Sequence, residues 1–262
     1  MMENKEVVIT RDLTTGYRKG KREWIITDRL STSLREGEFV SLLGPNGAGK
    51  STLLRTLAGF QSPLGGQVLI EGVDLSEMNP RDLARTVSVV LTEKTQIDNM
   101  NVEALVGLGR APYTGFWGTL DPKDREVVES AMRLTGIENM RKREVQSLSD
   151  GERQKVMIAK ALAQSTPVIF LDEPTAFLDY PSKVEIMLLL ARLAKEERKT
   201  IFMSTHDIDI ALQLSSRIWL MDKKEGVTIG SHRELTDSGA LERYFLRPGI
   251  GFDRESGRFF VS

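Results

Sequence analysis

Eight consecutive residues, Gly44-Pro45-Asn46-Gly47-Ala48-Gly49-Lys50-Ser51, fit the pattern G-x-x-x-x-G-K-[ST]. In such a loop the glycines let backbone N–H groups point at phosphate oxygens, and a helix that follows adds partial positive charge from its N-terminus. Lys50 should reach the β- and γ-phosphates of a nucleoside triphosphate, Ser51 should ligate Mg²⁺, and Thr52 continues the same turn. Far downstream, Val168-Ile169-Phe170-Leu171-Asp172-Glu173 is an apolar run ending in two adjacent carboxylates. Placed at the C-terminal end of a buried strand, such a pair suggests divided labour. Asp172 would hold Mg²⁺, directly or through water, and Glu173 would orient and polarise an attacking water. A third segment, Leu148-Ser149-Asp150-Gly151-Glu152, reads as a helix start, with Ser149 or Asp150 as the cap and Glu152 in the first turn. His206, in Ser204-Thr205-His206-Asp207, follows a β-rich run and by itself reads as a structural histidine.

These groups need a frame that brings distant segments together. Short β-rich runs occur at 7–9, 39–43, 67–70, 87–91, 168–171, 201–204 and 217–221, several of them apolar without alternation, as strands buried on both faces are. Helical patterns intervene at 50–57, 122–135, 152–164, 182–197 and 208–215. Asp121 before Pro122 supplies a cap and a first-turn proline, and Gly136 after Thr135 supplies a terminator. Strand and helix alternating in this way predict an α/β fold with a mainly parallel sheet covered on both faces. The stretch from about 95 to 150 has helical patterns without a convincing strand and reads as a helical insertion.

Bulk properties narrow the classes. A chain of 262 residues suits one α/β domain carrying a subdomain. Hydrophobic residues make up 40% and charged residues 28%, which argues against a fibrous or disordered class. Cysteine is absent, so disulfides, thiolate metal sites and thiol catalysis are excluded. No apolar run is long enough to span a bilayer, and the first ten residues lack the layout of a signal peptide, so a membrane role must come through a partner. The net charge of −1 offers no general attraction to nucleic acid, and none is expected as a partner. The basic cluster Arg18, Lys19, Lys21, Arg22 reads as a solvated loop, and His232 as an exposed side chain.

With the loop and the carboxylate pair in place, the segment 148–152 resembles the LSGGQ signature of ABC ATPases, which separates them from other P-loop proteins. The resemblance spans about residues 5–230 and is carried by further motifs in order. Tyr17 matches the aromatic residue on which adenine stacks, and Ala176-Phe177-Leu178-Asp179 matches the D-loop. His206 matches the switch histidine that senses the γ-phosphate. The resemblance implies a single ABC ATPase domain over 1–262, with an N-terminal antiparallel β part, a helical subdomain at about 95–150 and a C-terminal extension at about 231–262. It implies ATP and Mg²⁺ as cofactors, with Glu173, His206 and Lys50 as catalytic groups. Tyr17, Gly44 to Thr52, Ser149, Gly151, Glu152 and Asp179 would bind nucleotide. Ser51, Asp172 and Glu93 would hold the metal. Asp150 and Glu152 depart from the family's glycine and glutamine, which predicts a working signature with weaker attraction for the γ-phosphate. In the Q-loop Glu93 falls where the family has glutamine; Gln96 could take that role through a shifted loop, or neither side chain could touch the resting site.

The stretch Val106-Gly107-Leu108-Gly109-Arg110-Ala111-Pro112-Tyr113, before an aspartate-led helix at Asp121, resembles importers of iron siderophores, haem and vitamin B12, although Arg110 and Pro112 could merely end a helix. Phe116 and Trp117 could be subdomain core or a partner surface. The implied partners are a second copy forming an ATP sandwich, membrane permease subunits and, indirectly, an external substrate-binding protein, with the chain at the cytoplasmic face of the membrane. An amino-acid, lipid or drug transporter shares the same cassette and stays open. A repair or chromosome ATPase would carry a zinc module or coiled coil, and a translation factor a second P-loop.

Overall fold

The computed structural model describes residues 5–91, 99–115 and 118–261. Glu93, Gln96, Phe116 and Trp117 lie outside the described residues. Along the chain run β1 (Glu6–Lys19), β2 (Arg22–Arg35), β3 (Phe39–Leu43), α1 (Lys50–Leu57), β4 (Gly65–Ile70), β5 (Val73–Asp74), α2 (Pro80–Thr86) and β6 (Val87–Val90). Helices α3 (Val102–Gly107), α4 (Pro122–Thr135) and α5 (Asp150–Ala163) follow, then β7 (Val168–Asp172), α6 (Tyr180–Glu196), β8 (Thr200–Thr205), α7 (Ile208–Leu214) and β9 (Arg217–Asp222). The chain closes with β10 (Gly226–Gly230), α8 (His232–Asp237), α9 (Ala240–Phe245), β11 (Ile250–Asp253) and β12 (Arg258–Val261).

The central sheet has the order β10-β9-β3-β8-β7-β6 and is parallel except for β10. Side chains of a strand alternate between faces, and here both faces are dry. Ile169 and Leu171 of β7 join Ile201 and Met203 of β8 in one core with the helices of the insertion, α6 and α7. Val168 and Phe170 join Phe202, Val40 and Leu42 in a second core beneath α1 and the antiparallel sheet. Phe202 stands edge-on to both Phe170 and Trp219, with centroids 5.8 and 4.9 Å apart. Burying such side chains contributes roughly 1.5–3 kcal/mol each, so these strands form a stiff platform whose C-terminal ends carry the site. The second sheet, β2-β1-β4-β5, is antiparallel.

Between β6 and β7, helix α4 has Asp121 as N-cap in a capping box with Asp124, and it ends on Gly136 at φ 68°. The stretch before it is anchored by Arg110, a buried side chain that bonds the Asp124 carboxylate at 2.8 Å and the Ala163 carbonyl at 2.9 Å. The Pro112 carbonyl accepts from Arg81 and Arg85 of α2 at 3.2 and 3.1 Å. Arg110 and Pro112 thus tie the insertion to the core, which is more than ending a helix. Two other expectations change. Arg18 and Lys19 lie in β1 and Arg22 in β2, so the basic cluster is the tip of a β-hairpin, although its side chains are exposed as expected. His232 is half-buried, its Nε2 lying 3.2 Å from the Gly257 carbonyl, because the β11–β12 hairpin folds over it. Among the described residues no helix is long and apolar enough to cross a membrane.

Candidate functional site

Strand β3 delivers the loop 44–49 into α1, and the loop's Pro45, Asn46 and Gly47 are exposed. Gly49 is the N-cap residue at φ 106°, a conformation that L side chains rarely adopt, and an added Cβ would collide with Ile26. No side chain caps α1, so its first N–H groups stay open to a ligand's oxygens. Lys50 is buried and its ammonium donates to the Gly44 carbonyl at 2.8 Å and the Pro45 carbonyl at 3.3 Å. Burial pulls this ammonium below the usual lysine range, against the opposing attraction of Glu173 and then Asp172.

The two carboxylates arrive from β7. Asp172 accepts from Ser51 Oγ at 3.1 Å and from Ser204 Oγ at 2.6 Å. Glu173 sits at φ 47°, left-handed for a non-glycine residue, which costs on the order of 1–2 kcal/mol. It is held there because its N–H bonds both the carbonyl and the hydroxyl of Ser204, at 3.1 and 3.0 Å. Its Oε1 then lies 3.9 Å from Lys50 Nζ and its Oε2 lies 3.7 Å from His206 Nδ1. Beside His206, the Asp207 carboxylate accepts from Thr175 and Lys183, each at 2.6 Å. Burial would raise the Asp207 carboxyl, but these two bonds and the charge of Lys183 bring it below the usual carboxylate range. Ser204, Asp207, Thr175 and Lys183 were not singled out from the sequence. A serine inside an apolar strand and an aspartate opening a helix carry no chemical pattern of their own.

Tyr17 on β1 is half-exposed over the start of α1, its hydroxyl bonded to that of Thr52. With Ile26, Asn46, Lys50, Thr52 and Glu173 it lines a cavity of about 270 Å³. One side of this cavity is aromatic and apolar, the other cationic and N–H-rich, which matches a nucleotide's base and its phosphates.

Ser149, Gly151, Glu152 and Asp179 line no part of that cavity. Ser149 caps α5 in a capping box with Glu152, which settles the open choice of cap against Asp150. Hydrogen bonds from the Ser149 N–H and then from Arg143 hold the Glu152 carboxyl below the usual range. Asp179 caps α6 through the Ser182 N–H at 3.2 Å. A Cβ on Gly151 would come within 3.2 Å of Ser182 Oγ, so the starts of α5 and α6 stand side by side as a second cluster.

Comparison with known proteins places this arrangement. The family model described as "ABC transporter" matches residues 27–176. A probable siderophore transport system ATP-binding protein of Bacillus subtilis is 34% identical over 238 residues, covering 91% of this chain and 85% of the relative. Among solved structures, a transporter provisionally described as metal-chelate type, in an inward-facing conformation, matches with TM-score 0.79 and 25% identity over 98% of this chain and 96% of the other. A dimeric ATP-binding cassette in a post-hydrolysis state with ADP and Pi matches with TM-score 0.70 and 28% identity over 82% of this chain and 94% of the other.

Proposed function

This chain belongs to the ABC transporter family as an ATP-binding subunit, and from that premise we propose that two copies hydrolyse ATP between them to drive import of iron-siderophore, haem or cobalamin-type cargo. A permease in the membrane would carry the cargo, an external binding protein would deliver it, and this chain would sit at the cytoplasmic face. The observation that carries the reading is the split site. Lys50 and Glu173 line one cavity, with His206 3.7 Å from Glu173 at its edge, while Ser149 and Asp179 form a separate cluster suited to cover the phosphates of a second copy. The cargo class rests on the siderophore-system relative and on the resemblance at 106–113.

Each side chain then has a task. Lys50 releases the Gly44 and Pro45 carbonyls and turns its donors to the β- and γ-phosphates. The Glu173 carboxylate orients the attacking water and accepts its proton. His206 contacts the γ-phosphate, while its neighbour Asp207 is fixed by Thr175 and Lys183. Ser51 Oγ and Asp172 Oδ1 already meet, and two hard oxygen donors next to a phosphate loop suit Mg²⁺. When bound, the ion would offset phosphate charge; Glu93 is proposed as a further oxygen donor, with Gln96 as the rival for that position. The insertion at about 95–150 is proposed as a subdomain of the single ATPase domain, and about 231–262 as its C-terminal extension.

Tyr17 is proposed to stack on adenine, contributing on the order of 1–3 kcal/mol. Tyr17→Ala should therefore raise the ATP dissociation constant roughly tenfold or more, measured by calorimetry, whereas Tyr17→Trp should not. Equal affinity in wild type and Tyr17→Ala would refute the stacking role. For the cargo, deleting the gene in its host should abolish uptake of ferric siderophore, haem or cobalamin, with the wild-type gene restoring it. Loss of amino-acid or drug transport with all three uptakes intact would overturn the cargo class and leave the ATPase reading standing.

A further inference from the structure

Helix α5 begins with two acids, Asp150 and Glu152. Negative charge there suits the helix dipole, yet on the dimer reading this same turn must face the polyphosphate held by the other copy, which it would repel. Glu152 is not left to its own charge. Its Oε2 accepts from the Ser149 N–H at 2.8 Å, and Arg143 grips both carboxylate oxygens, Nη1 to Oε1 at 2.7 Å and Nη2 to Oε2 at 3.4 Å. The same Nη2 donates to the Ser147 carbonyl at 2.9 Å, so one guanidinium spans both sides of the signature. Arg143 is itself anchored, its N–H bonding the Met140 carbonyl at 2.8 Å and its carbonyl accepting from Val102 N–H at 3.0 Å. A planar fork fixed at its base can hold a carboxylate in one orientation, which a lysine ammonium does not do.

We propose that Arg143 is a positioning residue of the ATP sandwich: by pairing with Glu152 it offsets the signature's acidic charge and fixes the Ser149 hydroxyl for the second copy's γ-phosphate. The proposal rests on the dimer reading. It assigns the acidic signature a built-in counter-charge, so that an acid in the place of the family's glutamine is tolerated.

The test uses the full chain carrying Glu173→Gln, in which hydrolysis is arrested, with ATP and Mg²⁺ in analytical ultracentrifugation. Adding Arg143→Ala should weaken the ATP-driven dimer about tenfold. Adding Glu152→Gln to that variant should bring the dimer back to within about threefold of the parent, because glutamine keeps the capping box without the charge. Arg143→Lys should lie between. A fold defect alone would lower the melting temperature and would not be rescued by Glu152→Gln. Dimerisation unchanged by Arg143→Ala, or unrescued by Glu152→Gln, overturns the role of Arg143. A Glu173→Gln parent that stays monomeric with ATP overturns the dimer reading itself, and the proposal with it.

Discussion

Replacing Glu173 by glutamine is expected to slow ATP hydrolysis by about 10² to 10⁴-fold while leaving ATP affinity within about threefold of wild type. Glutamine has the same shape and keeps the backbone N–H in its two bonds to Ser204, so the left-handed turn after β7 should persist. What disappears is the carboxylate proposed to take the water's proton. Removing its negative charge also relieves repulsion toward the γ-phosphate, so the variant should accumulate as an ATP-bound dimer. Phosphate-release assays measure the first effect and gel filtration with ATP the second. A hydrolysis rate within threefold of wild type would remove Glu173 from the role of base.

Arg110→Ala is expected to cost on the order of 3 kcal/mol of stability, lowering the melting temperature by roughly 6 to 12 °C. The Arg110 and Asp124 side chains are each 10% exposed, and their 2.8 Å contact is a buried ion pair. Nη1 also serves the Ala163 carbonyl and Ser165 Oγ, both at 2.9 Å, and the guanidinium lies 3.9 Å from the Tyr113 ring centre. Truncation leaves a carboxylate and a carbonyl without their donor in a dry seam. The hydrogen bond from Arg110 holds the Asp124 carboxyl below the usual range. Its stabilisation is therefore full above the unfolded-state value, near pH 4, and is lost as pH falls through the lower folded value. Replacing both partners, Arg110→Met with Asp124→Leu, should recover part of the loss, because a buried pair exchanged for apolar groups is close to neutral, while the Ala163 carbonyl stays without its donor and the capping box loses Asp124. Thermal unfolding of the three variants decides it; a shift below about 2 °C for Arg110→Ala would contradict the account.

The sheet was readable because β3, β7, β8 and β9 are buried on both faces, and such strands show as unbroken apolar runs. The loop 44–51 and the pair Asp172–Glu173 were readable because their residue types at those spacings have few other uses. Strand β2 escaped because Asp28, Arg29 and the exposed Trp24 and Ile25 break any alternation. Helices α2 and α3 span only 7 and 6 residues, too short for a period to emerge. Arg143 escaped for a different reason. Its partner Glu152 is reached around a bend between a 3₁₀ turn and α5, a pairing with no fixed sequence interval.

The strand order bears on how the protein is made. Strand β3, which carries the phosphate loop, is bonded on its two sides to β8 and β9, the first pairing Val40 with Phe202 and the second Leu42 with Trp219. On the ribosome the loop emerges long before either neighbour, so until those strands follow it has no parallel sheet to hold it. Closing so long a segment is slow and leaves β3 and its apolar faces open to wrong contacts meanwhile. Lys50 cannot meet Glu173 and His206 until β8 has docked, so a nascent chain assembles the proposed hydrolytic centre only after that strand has emerged. On the proposed roles, nucleotide hydrolysis is in this sense a report that β7 and β8 have docked against β3.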